Sequence, residues 1–417
     1  MTELLVIAAA VYGFALVSRR LSMSPVTAPM VFTAVGLTVG DAGLEWFDLG
    51  LEGEAVSILI EATLVLVLFT DAIRIDLRKL RKESRFPARL LGVGLPLTLL
   101  LGTGAAWLLF PAFTLVEAAL LAAVLTPTDA ALGQAVVSDR RLPVRLRQGL
   151  NVESGLNDGL MVPIVTITLA VSASEAGGTG GWGEFVVRQI GFGLLLGVGM
   201  GAVGGRLLHL RAVAGRVEGI YRQLATIAIA AGAYASAELL GGNGFIAVFT
   251  AGLAFGHLAR EQCSGVQDFT EDEGELLNAI TFIVFGAVLA GPALEAVSWQ
   301  ILGYVTLSLT VVRMAPVVLA LAGTRTLVET RLFAGWFGPR GLASILFALI
   351  VLEQLDSTQT DVIFDCAIWT VLVSVFAHGL TASPWATRLA KRLSAAPGTQ
   401  PELAPAPEMP TRRRLPS

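Results

Sequence analysis

The chain has 417 residues, 54% of them hydrophobic and only 15% charged, with a formal net charge of −4 and a mean hydropathy of +0.71. Soluble domains are about 45–50% apolar and about 25% charged, so this composition excludes a soluble globular protein and leaves a polytopic helical one in a lipid bilayer. No nucleic-acid partner is expected, and so small a net charge says less than where the charges fall.

The first apolar stretch, up to Val17, has no basic residue ahead of it and is followed by Arg19 and Arg20. That is the reverse of a secretory signal peptide, so it is expected to stay as a first span. A membrane helix needs about 20 apolar residues to cross roughly 30 Å of hydrocarbon. Apolar runs between polar punctuation predict thirteen spans, near 3–18, 26–40, 55–73, 87–110, 114–137, 147–172, 184–209, 220–240, 244–259, 275–292, 297–323, 331–352 and 361–385. If connections alternate sides, every Lys and Arg except Arg188, Arg313 and Arg340 falls on one side or in the C-terminal tail. The positive-inside rule then sets the N-terminus outside and the C-terminus in the cytoplasm.

An odd number of spans permits an inverted repeat, with spans 1–6 paired to spans 8–13 and span 7 as linker. Secondary transporters use this plan and build their sites on interrupted helices in matching positions. The fifth span of each set fits. Span 5 carries Thr126-Pro127-Thr128-Asp129 and span 12 carries Gly338-Pro339-Arg340-Gly341. Proline has no N–H, so Pro127 is expected to free the carbonyl of Ala123, and Pro339 that of Gly335. Free carbonyls at membrane depth face protein, water or an ion.

Span 6 opens with Asn151-Val152-Glu153-Ser154-Gly155-Leu156-Asn157-Asp158. Asn151, Ser154 and Asp158 are spaced to share one helical stripe, with Glu153 and Asn157 beside them. Ionisable groups at bilayer depth are costly and point to an ion or proton pathway. Asp129 and Asp158 both fall near mid-span. Two carboxylates in a poorly solvated site do not both ionise cheaply, and either a monovalent cation or a proton relieves the repulsion. Competition between the two is the minimum physics of an exchanger. Oxygen ligands suit an alkali cation: the carboxylates of Asp129 and Asp158, the Ser154 hydroxyl and a main-chain carbonyl such as that of Thr128. Glu153 is expected to pair with Arg313, and Arg340 to balance helix ends and carboxylates at the crossing. These three acids against two arginines leave one negative charge. Cys263 and Cys366 have no metal-ligand spacing, and the glycines of 191–205 are expected to serve close helix packing.

The combination of T-P-T-D, N-x-E-S-G-x-N-D-G, an arginine on each of spans 11 and 12, and V-S-V-F-A-H-G-L-T-A-S-P at Val373–Pro384 resembles the monovalent cation:proton antiporters. The likeness is to NhaP-type sodium/proton exchangers and their NHE-type animal relatives, over about residues 1–390. The resemblance implies that Asp158 carries cation and proton, and that Asp129, Ser154 and the Thr128 carbonyl complete the site. It implies support from Asn157, a stabilising Glu153–Arg313 pair and Arg340 at the helix crossing. It further implies a homodimer in the cell membrane, with a transmembrane domain over 1–392. In that domain, spans 4–6 and 11–13 form a core that moves against a dimerisation part made of spans 1–3 and 7–10. An Asn before the key Asp is the electroneutral pattern, so one Na⁺ for one H⁺ is expected, with K⁺ or Li⁺ as alternatives and the ions as substrates of a non-enzyme without cofactor. Residues 393–417, rich in Pro and Ala and ending near Arg412–Arg414, read as a disordered tail facing anionic lipid. More distant readings are a cation channel and an intramembrane aspartyl protease, whose G-x-G-D element Gly155–Asp158 partly resembles.

Overall fold

The computed structural model describes residues 2–21, 24–46, 54–76, 85–129, 132–175, 181–259, 264–355, 358–395 and 400–404, and among these every regular element is a helix. In chain order they are α1 (Thr2–Leu21), α2 (Ala28–Val39), α3 (Glu54–Arg74), α4 (Arg85–Leu109), α5 (Leu115–Leu125), the single turn α6 (Gln134–Val137), α7 (Val144–Glu175), α8 (Trp182–Val213), α9 (Gly219–Leu239) and α10 (Gly244–Leu258). There follow α11 (Ser264–Val284, prolonged through wider turns to Glu295), α12 (Trp299–Ala320), α13 (Val328–Trp336), α14 (Leu342–Gln354) and α15 (Thr358–Ser394), with a 3₁₀ turn at Pro401–Leu403.

Eight helices among the described residues are long and apolar enough to cross a membrane, and four more are apolar but shorter: α2, α5, α10 and α14. The molecule is a multi-pass membrane protein of the all-helical class expected. Its stretches at 26–40 and 244–259 form helices of only 12 and 15 residues. The spans expected at 114–137 and 331–352 are each broken. Span 114–137 is helical over α5, leaves the helix at Thr126–Asp129 and regains it at α6. Span 331–352 is helical over α13, non-helical over Phe337–Gly341 and helical again over α14.

Packing is uneven around the bundle. α1 has no buried residue, and Leu4, Leu5, Tyr12 and Leu16 point outward. α7, α14 and α15 run through the interior, where Met161, Ile345, Ala348, Ile368 and Val371 are fully enclosed. The glycines of α8 form a ladder at Gly193, Gly197, Gly201 and Gly205, all buried. A methyl on Gly197 would strike the carbonyl of Ala247, and one on Gly201 that of Ala251. α8 and α10 therefore meet backbone to backbone, the close approach that small residues permit where lipid offers no hydrophobic drive.

Part of the segment expected as a tail, 393–417, lies among the described residues. α15 stays helical to Ser394, and residues 400–404 form an ordered turn against the bundle. Residues 405–417, including Arg412–Arg414, lie outside the described residues.

Candidate functional site

The two broken spans meet at their breaks. Asp129 N donates to the carbonyl of Pro339 (2.7 Å), which ties the non-helical residues of one break to those of the other. A helix cut in mid-membrane exposes carbonyls at one end and N–H groups at the other, together carrying roughly half an elementary charge each. Both ends are met by side chains from the opposite span. Arg340 Nη1 donates to the carbonyls of Thr126 (3.0 Å) and Pro127 (3.1 Å) at the end of α5. Asp129 Oδ2 accepts from Leu342 N, the first N–H of α14, at 3.2 Å, and Oδ1 accepts from Leu132 N. Ser344 Oγ donates to the carbonyl of Val124 (2.9 Å).

The freed carbonyls are not all those expected. Proline at 127 denies Ala123 its usual partner, yet Thr126 N reaches Ala123 O at 3.4 Å in a tighter turn. The carbonyls that need an outside donor are those of Thr126 and Pro127, and Arg340 supplies it.

Glycine makes this crossing possible. A methyl on Gly341 would strike Oδ2 of Asp129 and lie 2.7 Å from its Cγ, and one on Gly338 would strike the Arg313 guanidinium. The G-P-R-G segment thus presents bare backbone to one acid and one base.

α7 brings the remaining groups. Glu153 and Arg313 are both buried, and Arg313 donates in parallel, from Nη1 to Oε1 and from Nη2 to Oε2 (2.8 Å). Such a bidentate pair is the geometry that tolerates burial best. Asn157, fully enclosed, grips Thr128 from both sides of its amide. Oδ1 accepts from Thr128 N (3.3 Å) and Nδ2 donates to Thr128 Oγ1 (2.6 Å). Thr128 Oγ1 also shares a 3.0 Å hydrogen bond with Ser154 Oγ. Thr128, Ser154 and Asn157 are therefore one hydrogen-bonded cluster, with Asp129 next along the chain. Asp158 lies one helical turn beyond Ser154 and is 6% exposed.

Two further groups lie in this neighbourhood, the first within the V-S-V-F-A-H-G stretch, whose contacts the motif itself does not specify. Ser374 on α15 accepts from Arg340 N (2.7 Å), and its hydroxyl shares a 3.0 Å bond with His378 Nδ1. His378 Nε2 lies 3.0 Å from the Trp336 carbonyl at the end of α13, so His378 is part of the scaffold that holds Arg340. Asp71 on α3 lies over Gly155 of α7, where an added methyl would sit 3.5 Å from its Cβ, and Asp71 pairs with Arg74 at 3.4 Å. Asp71 follows the apolar run of α3, and only its charge inside a span hinted at a partner. Outside the spans, Asp139 binds Arg141 through Nε (2.9 Å) and Nη2 (2.7 Å) in the turn before α7, which pushes the Arg141 guanidinium up.

A family model described as "Sodium/hydrogen exchanger, transmembrane" matches residues 5–388. The chain is 27% identical over 363 residues to Na(+)/H(+) antiporter 2 of Zygosaccharomyces rouxii, covering 80% of this chain and 43% of that one. It is 26% identical over 362 residues to the K(+)/H(+) antiporter NhaP of Alkalimonas amylolytica, covering 85% of this chain and 61% of that one. The chain thus spans about half the length of these two relatives. Its fold matches that of the sodium proton antiporter MjNhaP1 from Methanocaldococcus jannaschii with a TM-score of 0.74 at 19% identity, over 91% of this chain and 99% of the other.

Proposed function

The chain belongs to the sodium/hydrogen exchanger transmembrane family, and from that membership we propose that it is a secondary transporter exchanging a monovalent cation for H⁺ across the cell membrane. The observation that carries the proposal is the hydrogen-bonded cluster of Thr128, Ser154 and Asn157 at the break of α5, with Asp158 one turn along α7. Non-helical backbone is tolerated at membrane depth only where protein or a water-lined path covers it. Here it is held open at cost by a buried arginine, a buried aspartate and two glycines.

In the mechanism we infer, Asp158 carries the cargo. A cation binds to its carboxylate with oxygen from Ser154, Thr128 and Asp129, and a proton takes the same carboxylate when the cation leaves. Asn157 keeps Thr128 turned toward Ser154. Glu153 and Arg313 neutralise one another, and Arg340 Nη1 is committed to the Thr126 and Pro127 carbonyls. Na⁺ is the cation we favour, in keeping with the sodium in the family's description; K⁺ is the alternative, since the names of relatives carry both ions and oxygen ligands alone do not set ion size.

The larger frame is also part of this reading. Thirteen segments cross the bilayer as two inverted sets of six, with the N-terminus outside and the C-terminus in the cytoplasm. The part containing α4–α7 and α12–α15 moves against the part containing α1–α3 and α8–α11, and the latter joins two copies. The outward-facing apolar surface of α1 supports that assignment.

Proteoliposomes test the proposal. An imposed Na⁺ or K⁺ gradient moves protons in the opposite direction, with saturable dependence on the cation. Flux that rises linearly with cation and ignores pH supports a channel, and peptide cleavage without flux supports a protease; either result rejects the exchanger.

A further inference from the structure

The first halves of the two broken spans begin in different ways. α5 carries its own start signal. Thr114 Oγ1 accepts from Glu117 N (3.2 Å), and Thr114 N donates to Glu117 Oε2 (2.7 Å). This reciprocal capping box satisfies two of the four N–H groups that every helix leaves over at its start. α13 has no such signal. Its N-cap is Leu327, which makes no side-chain cap, and the hydroxyl of the preceding Thr326 is occupied by Arg331 Nε (3.1 Å).

The missing carboxylate comes from the tail. Glu402, only 4% exposed, accepts from Leu327 N and from the Thr330 hydroxyl, both at 3.0 Å and both on Oε1. Leu327 is the N-cap of α13 and Thr330 its third residue. Glu402 therefore takes the place that Glu117 holds in α5, but from a position 72 residues along the chain from Thr330. A carboxylate at that end also meets the positive pole of the helix. Two further contacts fix the turn around it. Arg145 Nη1, at the start of α7, donates to the Pro401 carbonyl (3.1 Å), and Leu403 packs against the apolar cluster of Phe333, Leu142 and Leu146.

We propose that the tail segment Gln400–Ala404 is an intramolecular strap, with Glu402 as the positioning residue that completes the cap of α13 and sets the rate of exchange. The strap ties the start of α7, which carries Asp158, to the start of α13, which leads into the Gly338–Gly341 crossing. With Glu402 withdrawn, the first turn of α13 loses its cap and Arg145 loses its carbonyl. The crossing then samples arrangements in which Arg340 and the α5 carbonyls are out of register. The tail thereby becomes a place where transport can be turned down without touching the ion site. This role rests on the exchanger reading; the docking itself does not.

The experiment uses purified full-length protein, its Glu402→Ala and Glu402→Gln variants, and a chain ending at Ala395. Amide hydrogen exchange at Leu327 reads the docking directly. It is protected in the wild type and in Glu402→Gln, whose amide oxygen accepts the same two bonds, and unprotected in Glu402→Ala. In proteoliposomes, Glu402→Ala and the shortened chain lose maximal exchange about fivefold, the size expected for one helix cap, with the half-saturating cation concentration unchanged. Glu402→Gln keeps the wild-type rate, and a peptide of residues 400–417 restores the shortened chain. Equal protection of Leu327 in wild type and Glu402→Ala overturns the strap, and so does wild-type exchange in Glu402→Ala. If the shortened chain fails to fold, the full-length variants decide. If the wild type moves no ions, the exchanger reading fails, and the Leu327 amide still judges the docking.

Discussion

Asp129 and Arg340 each sit on the cut end of the other's helix. Asp129, which follows α5, receives the first N–H of α14; Arg340, which precedes α14, gives its guanidinium to the last carbonyls of α5. A negative side chain thus covers a positive helix end and a positive one covers a negative end. The crossing is held electrically as well as sterically, and neither residue works alone.

Gly341 is the point where this exchange is tightest. Gly341→Ala drives a methyl into the Asp129 carboxylate and pulls it from Leu342 N. Cation-driven proton flux is expected to fall about tenfold to a hundredfold, as small misplacements at a site do. Gly104→Ala on α4, where a methyl meets nothing within 4 Å, leaves flux unchanged. Proteoliposome flux checks both, and equal activity of the two variants contradicts the assigned role of the crossing.

The Glu153–Arg313 pair is a stability element. Arg313→Ala leaves a buried carboxylate without its bidentate partner and costs about 3–5 kcal/mol, read as a lower Tm in detergent. Replacing both residues together, with Arg313→Met and Glu153→Leu, costs less than either single change. A double variant that melts below both singles removes the pair from its structural role.

One-for-one exchange moves no net charge. A membrane potential acts on a moved charge with about 2.3 kcal/mol per 100 mV, so an imposed potential leaves the exchange rate unchanged if the stoichiometry is one to one. Asn157, held by Thr128, is uncharged, so in the proposed mechanism it adds no charge to that of Asp158. A rate that rises steeply with potential replaces that stoichiometry by an electrogenic one.

The sequence revealed what depends on local pattern. Hydropathy marked a helical membrane protein, and Pro127 and Pro339 marked the two breaks. Of the polar groups on α7, Ser154 and Asn157 join the Thr128 cluster and Glu153 pairs with Arg313. What the sequence hid depends on partners far along the chain. Leu342 opens α14 behind the N-cap Gly341, which makes no side-chain cap, and Val328 opens α13 behind the N-cap Leu327, which makes none either. A helix start without a Ser, Thr, Asp or Asn in front is a sign that the cap comes from elsewhere. Nothing in the pattern says that it comes from Asp129 in one case and Glu402 in the other. The V-S-V-F-A-H-G stretch marked Ser374 and His378 as a motif, but not as the partners of Arg340 and Trp336. Composition gave no sign of the turn at Gln400–Ala404, because so short a segment docking on a helix end leaves no hydropathy signal.

Proton release on cation binding tests the central claim most directly. Adding Na⁺ or K⁺ to purified protein in weakly buffered solution, with a pH indicator, reports whether the two ions share one carboxylate. The account predicts about one proton released per cation bound in the wild type and none from folded Asp158→Asn. Undiminished release from Asp158→Asn contradicts it, because the proton and the cation would then meet somewhere else.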